Sequence, residues 1–196
     1  MTAPLPVEEA SHPVAPLEPP KSVLLWNVLA LLVALAAVGG TLWLSLGMGL
    51  KACPLCYYQR SFVMGAAAVL LLAQLTELRG SAAVSVLALP LAVAGLGIAG
   101  FHVSRELAGA MECPGGILDL GTAPKQSLAV QALLALFLLI GAIRRPVFVV
   151  GIVVGGLLAY ACLQSVAPTP KPTLEEYAKP PVICRPPKPP EAPAAP

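Results

Sequence analysis

The sequence CPLCYYQR, residues 53–60, lies between two apolar segments that are each long enough to cross a lipid bilayer. Its Cys53 and Cys56 form a Cys-x-x-Cys pair at the point where we expect a helix to begin. The free N–H groups and the dipole of a helix N-terminus favour a thiolate, so they lower the cysteine pKa and raise its reactivity. Arg60 follows Cys56 by one helical turn, and its guanidinium can reach the sulfur or an anion held beside it. The stretch therefore predicts redox chemistry at a membrane surface.

The composition is that of a membrane protein. Apolar residues make up 57% of the 196-residue chain and charged residues only 11%, more apolar sequence than a soluble core requires. The 12 Lys and Arg nearly balance the 10 Asp and Glu, and no basic stripe predicts binding to nucleic acid. We therefore expect contact with membrane lipid and no nucleic-acid partner. The function of the five cysteines depends on the side of the membrane that they face.

Hydropathy predicts an all-α membrane protein with five spans. The expected architecture is a four-helix transmembrane bundle at residues 22–143 and an additional transmembrane helix at 147–166. Disordered tails flank it, one at residues 1–21 and one, rich in proline, at 167–196. The predicted spans are residues 22–50 with the helix ending near Gly47, 60–76, 81–101, 127–143 and 147–166. In the third span, Pro90 is expected to be a tolerated kink.

The segment between the third and fourth spans, residues 102–126, carries the polar groups of a loop and includes Cys113. Within it Val103, Leu107 and Met111 recur every four residues. This spacing predicts a short amphipathic helix that lies on the membrane surface.

Positive charges orient the bundle. Arg79 and the pair Arg144–Arg145 lie in two very short loops on one side, and Lys21 flanks the first span on that side. The positive-inside rule places this face in the cytoplasm, so five spans send the C-terminus to the outer, oxidising side. Four of the five thiols are then expected on that outer side: Cys53, Cys56, Cys113 and Cys184.

The pattern Cys-x-x-Cys-x-Tyr-x-Arg after the first span, a histidine ending the third and a cysteine in the next loop resemble the DsbB/BdbC family of disulfide-bond formation proteins. The likeness covers roughly residues 24–143. It implies a bacterial inner-membrane protein-disulfide:quinone oxidoreductase, which re-oxidises a periplasmic, DsbA-like thioredoxin-fold partner and passes the electrons to ubiquinone or menaquinone. It further implies that Cys56 contacts the quinone, with Cys53 as its exchange partner and Arg60 as a charge beside it. His102 has two readings, a quinone-side group and an ordinary interfacial histidine.

The sequence departs from this family at the second redox pair. Family members commonly keep two cysteines in the outer loop between spans three and four, whereas this loop has only Cys113. By the resemblance, the missing partner is expected to be Cys184, because a long proline-rich connection lets the tail reach the loop. The competitor is Cys162, near the outer end of the fifth span, for which a small buried residue is the plain alternative. The expected catalytic cysteines are Cys53, Cys56, Cys113 and Cys184, with no bound metal.

Two other functions compete with this one. The first is a non-catalytic membrane protein whose outer cysteines hold zinc or brace the loops, although the chain lacks a second Cys-x-x-Cys. The second is an enzyme similar to the vitamin-K-epoxide reductases, in which the membrane Cys-x-x-Cys lies late in the chain. Here the motif precedes the second span and no thioredoxin-like domain follows, which argues against that alternative.

Overall fold

The computed structural model describes residues 21–167 and 172–189; the tail expected at residues 1–21 lies outside them except for Lys21, the first residue of the first helix. Four of the helices are long and apolar enough to cross a membrane, and a further apolar helix is shorter, with 17 residues. The expected all-α membrane fold is confirmed. The helices are α1 (Lys21–Leu42), which ends in a π-helical turn at Trp43–Gly47, α2 (Pro54–Gln74), α3 (Ala82–Leu107), α4 (Ala123–Ala142), α5 (Phe148–Gln164) and α6 (Leu174–Tyr177).

Local sequence explains where α2 and α3 begin. Cys53 is the N-cap of α2, with an extended backbone (φ −70°, ψ 164°), and Pro54 occupies the first turn, where its missing N–H costs nothing. The helix therefore begins six residues before Arg60, where the second span was expected to start, and contains Cys56. Ser81 caps α3 by accepting a hydrogen bond from the Ala83 N–H at 3.2 Å.

Helices α1 to α4 form a bundle in which α1 and α3 are diagonal to each other. Each of these two packs between α2 and α4, and leucines and small residues such as Leu70, Leu89, Ala92 and Leu134 fill the interior. Small residues let helix backbones approach closely in a membrane, where no hydrophobic force drives helices together. Large apolar side chains on the outer faces, such as Leu32 and Leu72, are exposed and face the lipid.

Helix α5 packs on the outside of α3 and runs parallel to it. Near the start of α5, Gly151 lies against Leu89, and near its end Ala159 lies against Gly97, so residue numbers rise together along both helices. The C-terminus of α5 therefore reaches the end of the bundle where α3 ends. That α5 crosses the membrane stays a prediction.

The chain after α3 differs from the expectation. Val103 and Leu107 belong to α3 itself, and the chain turns at Gly109, which has φ +68°. The separate surface helix predicted from the four-residue spacing is wrong. A helix that simply continues has the same spacing, and residues 101–108 contain neither glycine nor proline to end it before Gly109.

The described part of the C-terminal tail is not extended throughout. Helix α6 is a single turn, and Thr173 and Glu176 form a capping box at its start. The tail then returns to the loop after α3, where Glu112 and Arg185 exchange two backbone hydrogen bonds. The tail thus meets the loop after α3 at one end of the bundle.

Candidate functional site

Four cysteines and a histidine meet where α2 begins and α3 ends. Cys53 and Cys56 have free thiols, whereas Cys113 and Cys184 form a disulfide, the pairing expected from the family resemblance. Cys162 on α5 also has a free thiol.

Cys53 is the buried acceptor of the Cys-x-x-Cys pair. Its sulfur accepts the Cys56 backbone N–H at 3.3 Å and lies 3.0 Å from the Cys56 sulfur, so the Cys56 thiol is placed to donate to a Cys53 thiolate. This thiol hydrogen bond, supported by His102 and opposed by burial, lowers the pKa of Cys53 from an ordinary 9.0 to about 5. In the reduced pair the thiolate therefore resides on Cys53, just before the membrane-spanning part of α2.

His102 lies between the two cysteine pairs and is fully buried. Its Nε2 is 3.9 Å from the Cys53 sulfur and 3.6 Å from the Cys113 sulfur, and its Nδ1 is 3.9 Å from the Cys56 sulfur. One imidazole thus contacts three of the four sulfurs that the sequence singled out.

Gln59 fixes which nitrogen of His102 carries the proton. Its Oε1 accepts the Ser127 hydroxyl at 2.6 Å, which leaves its amide nitrogen 3.3 Å from His102 Nδ1. An amide nitrogen only donates, so Nδ1 must accept, and in the neutral ring the proton resides on Nε2. The Nε2–H group therefore faces the sulfurs of Cys53 and Cys113.

The sulfurs of the two pairs are close enough to exchange after a small movement. The Cys184 sulfur, those of Cys53 and Cys56 and a His102 nitrogen all lie within 4.8 Å of one another. Such a cluster resembles a four-ligand metal site, but the disulfide occupies Cys184 and leaves three donors. Structural zinc sites use four, so the oxidised pair does not fit that reading.

A mostly apolar cavity of about 160 Å³ opens between α1, α2 and α4 on one side of Cys56. Cys56 and Arg60 lie on its wall together with small apolar residues such as Ala37 and Val63. His102 is not part of the lining, because it contacts the thiols from α3. The structure thus brings Cys56 and Arg60 to one cavity and His102 to the cysteine cluster.

Arg60 is held at this cavity by α1. Its guanidinium donates a hydrogen bond of 2.5 Å to the hydroxyl of Ser45, which lies in the π-helical turn at the end of α1. Among the residues whose side chains the structure describes, a set that leaves out Asp119, no carboxylate forms an ion pair with Arg60. Its positive charge is therefore available to an anion in the cavity.

Sequence reasoning assigned no role to Gln59, yet this side chain connects three helices. Besides its contacts with His102 and Ser127, its backbone carbonyl accepts a hydrogen bond from Gln131 at 3.2 Å. The available signal was polarity: uncharged amides inside apolar spans usually find partners across helices. Ser127 and Gln131 carry the same signal on α4, four residues apart and hence on one face.

Comparisons with known proteins give one match. The family model for disulfide bond formation protein DsbB matches residues 24–138, which include all but the first three residues of α1, the whole of α2 and α3, and most of α4. Neither the search of curated proteins nor that of solved structures gave a match. The matched region covers more than half of the chain, including the Cys-x-x-Cys helix and His102. On this basis the chain belongs to the DsbB family of disulfide bond formation proteins, and the family implies a disulfide oxidoreductase.

Proposed function

We propose that the chain is a protein-disulfide:quinone oxidoreductase that re-oxidises a periplasmic, DsbA-like dithiol partner. The observation that carries this proposal is the position of Cys56. Its sulfur contacts Cys53 on one side, within 4.8 Å of the Cys113–Cys184 disulfide, and it lines the apolar cavity on the other. A thiol so placed connects a disulfide exchange centre with a site for an apolar electron acceptor.

The proposed exchange joins Cys184 to Cys53. It starts after the partner dithiol has reduced the Cys113–Cys184 bond, while Cys53 and Cys56 form a disulfide. The Cys184 thiolate attacks the Cys53 sulfur, so a Cys53–Cys184 bond forms, the Cys53–Cys56 bond breaks and Cys56 leaves as a thiolate. Cys113 then attacks Cys184, which restores the Cys113–Cys184 disulfide and releases Cys53. Two electrons now reside on the Cys53–Cys56 pair, the thiol state described above.

His102 supports these exchanges as a hydrogen-bond donor. Its Nε2–H group faces the two sulfurs that act as thiolates in the second exchange step, Cys113 at 3.6 Å and Cys53 at 3.9 Å. A donor at this position stabilises the attacking thiolate first and the leaving thiolate afterwards. We propose this function for His102 in place of a direct contact with the quinone, because its side chain is absent from the cavity wall.

The volume of the cavity admits the six-membered ring of a quinone, and we propose ubiquinone or menaquinone as the ligand. That volume of about 160 Å³ matches the apolar cavities of about 150 Å³ that bind benzene. Bound there, a quinone would supply a two-electron acceptor beside the Cys56 sulfur. Arg60 would bind the oxygen on which negative charge develops, since its guanidinium has no carboxylate partner among the described side chains.

We propose that the protein resides in a bacterial inner membrane with the cysteine cluster facing the periplasm. Arg79, Arg144 and Arg145 lie in the two short turns at the opposite end of the bundle, which favours the cytoplasm for that end. In this arrangement residues 22–143 form the catalytic bundle, and residues 147–166 bring the tail at 167–196 to the periplasmic face.

The test is a quinone reduction assay. Purified protein is mixed with a reduced thioredoxin-fold oxidase and a soluble quinone, and quinone absorbance is followed. Wild type and the Cys162→Ser control should reduce the quinone, whereas Cys56→Ser should not. Absence of quinone reduction by the wild type, together with stoichiometric bound zinc, would favour the metal-binding alternative and overturn the proposal.

A further inference from the structure

The contact between Glu112 and Arg185 sets the register of the second cysteine pair. The Glu112 N–H donates to the Arg185 carbonyl at 2.8 Å, and the Arg185 N–H donates to the Glu112 carbonyl at 3.0 Å. In an antiparallel pair, the residue after one member lies opposite the residue before the other, so Cys113 faces Cys184. Their Cα atoms are 4.2 Å apart, close to the spacing of about 4.5 Å for a non-hydrogen-bonded antiparallel pair.

The Arg185 side chain holds the folded tail together. It is 7% exposed, and its Nε lies 3.3 Å from a Glu112 carboxylate oxygen. Its two terminal nitrogens donate to the backbone carbonyls of Glu176 at 2.6 Å and Lys179 at 3.1 Å. The guanidinium also lies 4.9 Å from the centre of the Tyr177 ring. The contact with Glu112 therefore joins the tail to the loop after α3, and the other three hold the tail itself in its folded shape.

None of these contacts uses a sulfur atom. The ion pair, the carbonyl hydrogen bonds and the backbone pair can all persist when the Cys113–Cys184 bond opens. The Lys51 N–H also donates a hydrogen bond to the Val182 carbonyl at 2.8 Å, and this contact with the tail does not depend on the disulfide either. The tail can thus stay folded on the loop while Cys113 and Cys184 are reduced.

We propose that Arg185 is a positioning residue, which keeps Cys184 opposite Cys113 during the part of the cycle in which their disulfide is open. A tail released at α5 would sample a wide volume and offer its thiol at only a millimolar effective concentration. A tail held by Arg185 offers the thiol in register instead. This inference rests on the proposed function, because a repeated opening of the disulfide is what makes the register matter.

The experiment measures the effective concentration of the pair. In the full chain, Cys53, Cys56 and Cys162 are replaced by serine, and the remaining pair is equilibrated with reduced and oxidised glutathione. The oxidised fraction is read from a gel shift with a maleimide-polymer tag. Arg185→Gln should lower the effective concentration about tenfold, because it removes a charge-assisted contact. Arg185→Lys should recover part of the loss, because the positive charge opposite Glu112 returns.

The matched control is Lys179→Gln, which removes the same charge from the same tail. Its side chain is 74% exposed and pairs with Glu175. It should leave the effective concentration unchanged. A second variant, Glu112→Gln, should lower the value in the same direction as Arg185→Gln, and circular dichroism must show equal helix content in all variants.

The inference is overturned if Arg185→Gln matches the wild type, or if Lys179→Gln falls by the same factor. The outcome is separate from that of the proposed function, because the glutathione equilibrium involves no quinone. A wild type without quinone reduction would overturn the proposed function and leave the measured equilibrium as it is. Equal effective concentrations in the wild type and Arg185→Gln would rule out the positioning role of Arg185 without changing the outcome of the quinone assay.

Discussion

Replacing His102 with leucine should raise the pKa of Cys53. In the native site that pKa is lowered to about 5, first by the hydrogen bond from Cys56 and then by His102. Leucine fills a similar volume but has no donor for the thiolate. The contact from Nε2 is long, 3.9 Å, so we assign it the weak end of a charge-assisted hydrogen bond, about 1.5 kcal/mol. That energy corresponds to about one pH unit, and the contact from Cys56 remains in the variant.

The assay is the rate of alkylation by iodoacetamide of the fully reduced chain, followed at the Cys53 peptide by mass spectrometry. Only the thiolate reacts, so the rate rises with pH through the Cys53 pKa, and the variant's curve should move to higher pH. Ser104→Ala is the control, since Ser104 is on the same helix and its exposed hydroxyl donates to Phe101 of α3. Identical midpoints for His102→Leu and wild type would refute the assigned role of His102.

Three further changes test the packing and the cavity. Gly155→Ala should destabilise the protein by about 1–3 kcal/mol in thermal unfolding, because the added Cβ would lie 2.7 Å from the Pro90 carbonyl oxygen. Gly156→Ala, with nothing within 4 Å, should not, and equal losses would contradict the close packing. Gln59→Leu should lower the free energy of unfolding by about 1–3 kcal/mol, because the buried hydrogen-bond partners of the Gln59 side chain are left unpaired. An unchanged unfolding temperature would argue against a stabilising role for these hydrogen bonds. Arg60→Lys should lower kcat/KM for quinone about tenfold, because lysine lacks the planar fork that binds the oxygen where charge develops, whereas an unchanged kcat/KM would remove Arg60 from the site.

The helices and the reactive pair were predictable because their signals are local. A bilayer demands a minimum apolar length, so four spans could be read from hydropathy alone. Cys53 and Pro54 likewise mark a helix start by their own chemistry, without reference to any other part of the chain. The Cys113–Cys184 pairing came from the family resemblance, and the register that explains it depends on a backbone contact between segments 73 residues apart.

The side of each helix that faces the site was not predictable in the same way. Where nearly all positions of a span are apolar, the sequence does not encode how the helix rotates about its axis. From the sequence, His102 therefore kept two readings, a quinone-side group and an interfacial histidine, and only the packing of α3 shows its side chain among the sulfurs. The partners of Gln59 are on α4, so its role also depends on packing between helices.

The length of α5 has a consequence for the surrounding lipid. Its 17 residues span about 25 Å at 1.5 Å per residue, roughly 5 Å less than the hydrocarbon core of an average bilayer. As a membrane-crossing helix, α5 would suffer hydrophobic mismatch, which bilayers relieve by local thinning and by long basic side chains such as Arg145 reaching the interface. Because α5 precedes the tail that carries Cys184, a membrane-crossing α5 would make acyl-chain length a variable that acts on the second cysteine pair from the lipid side.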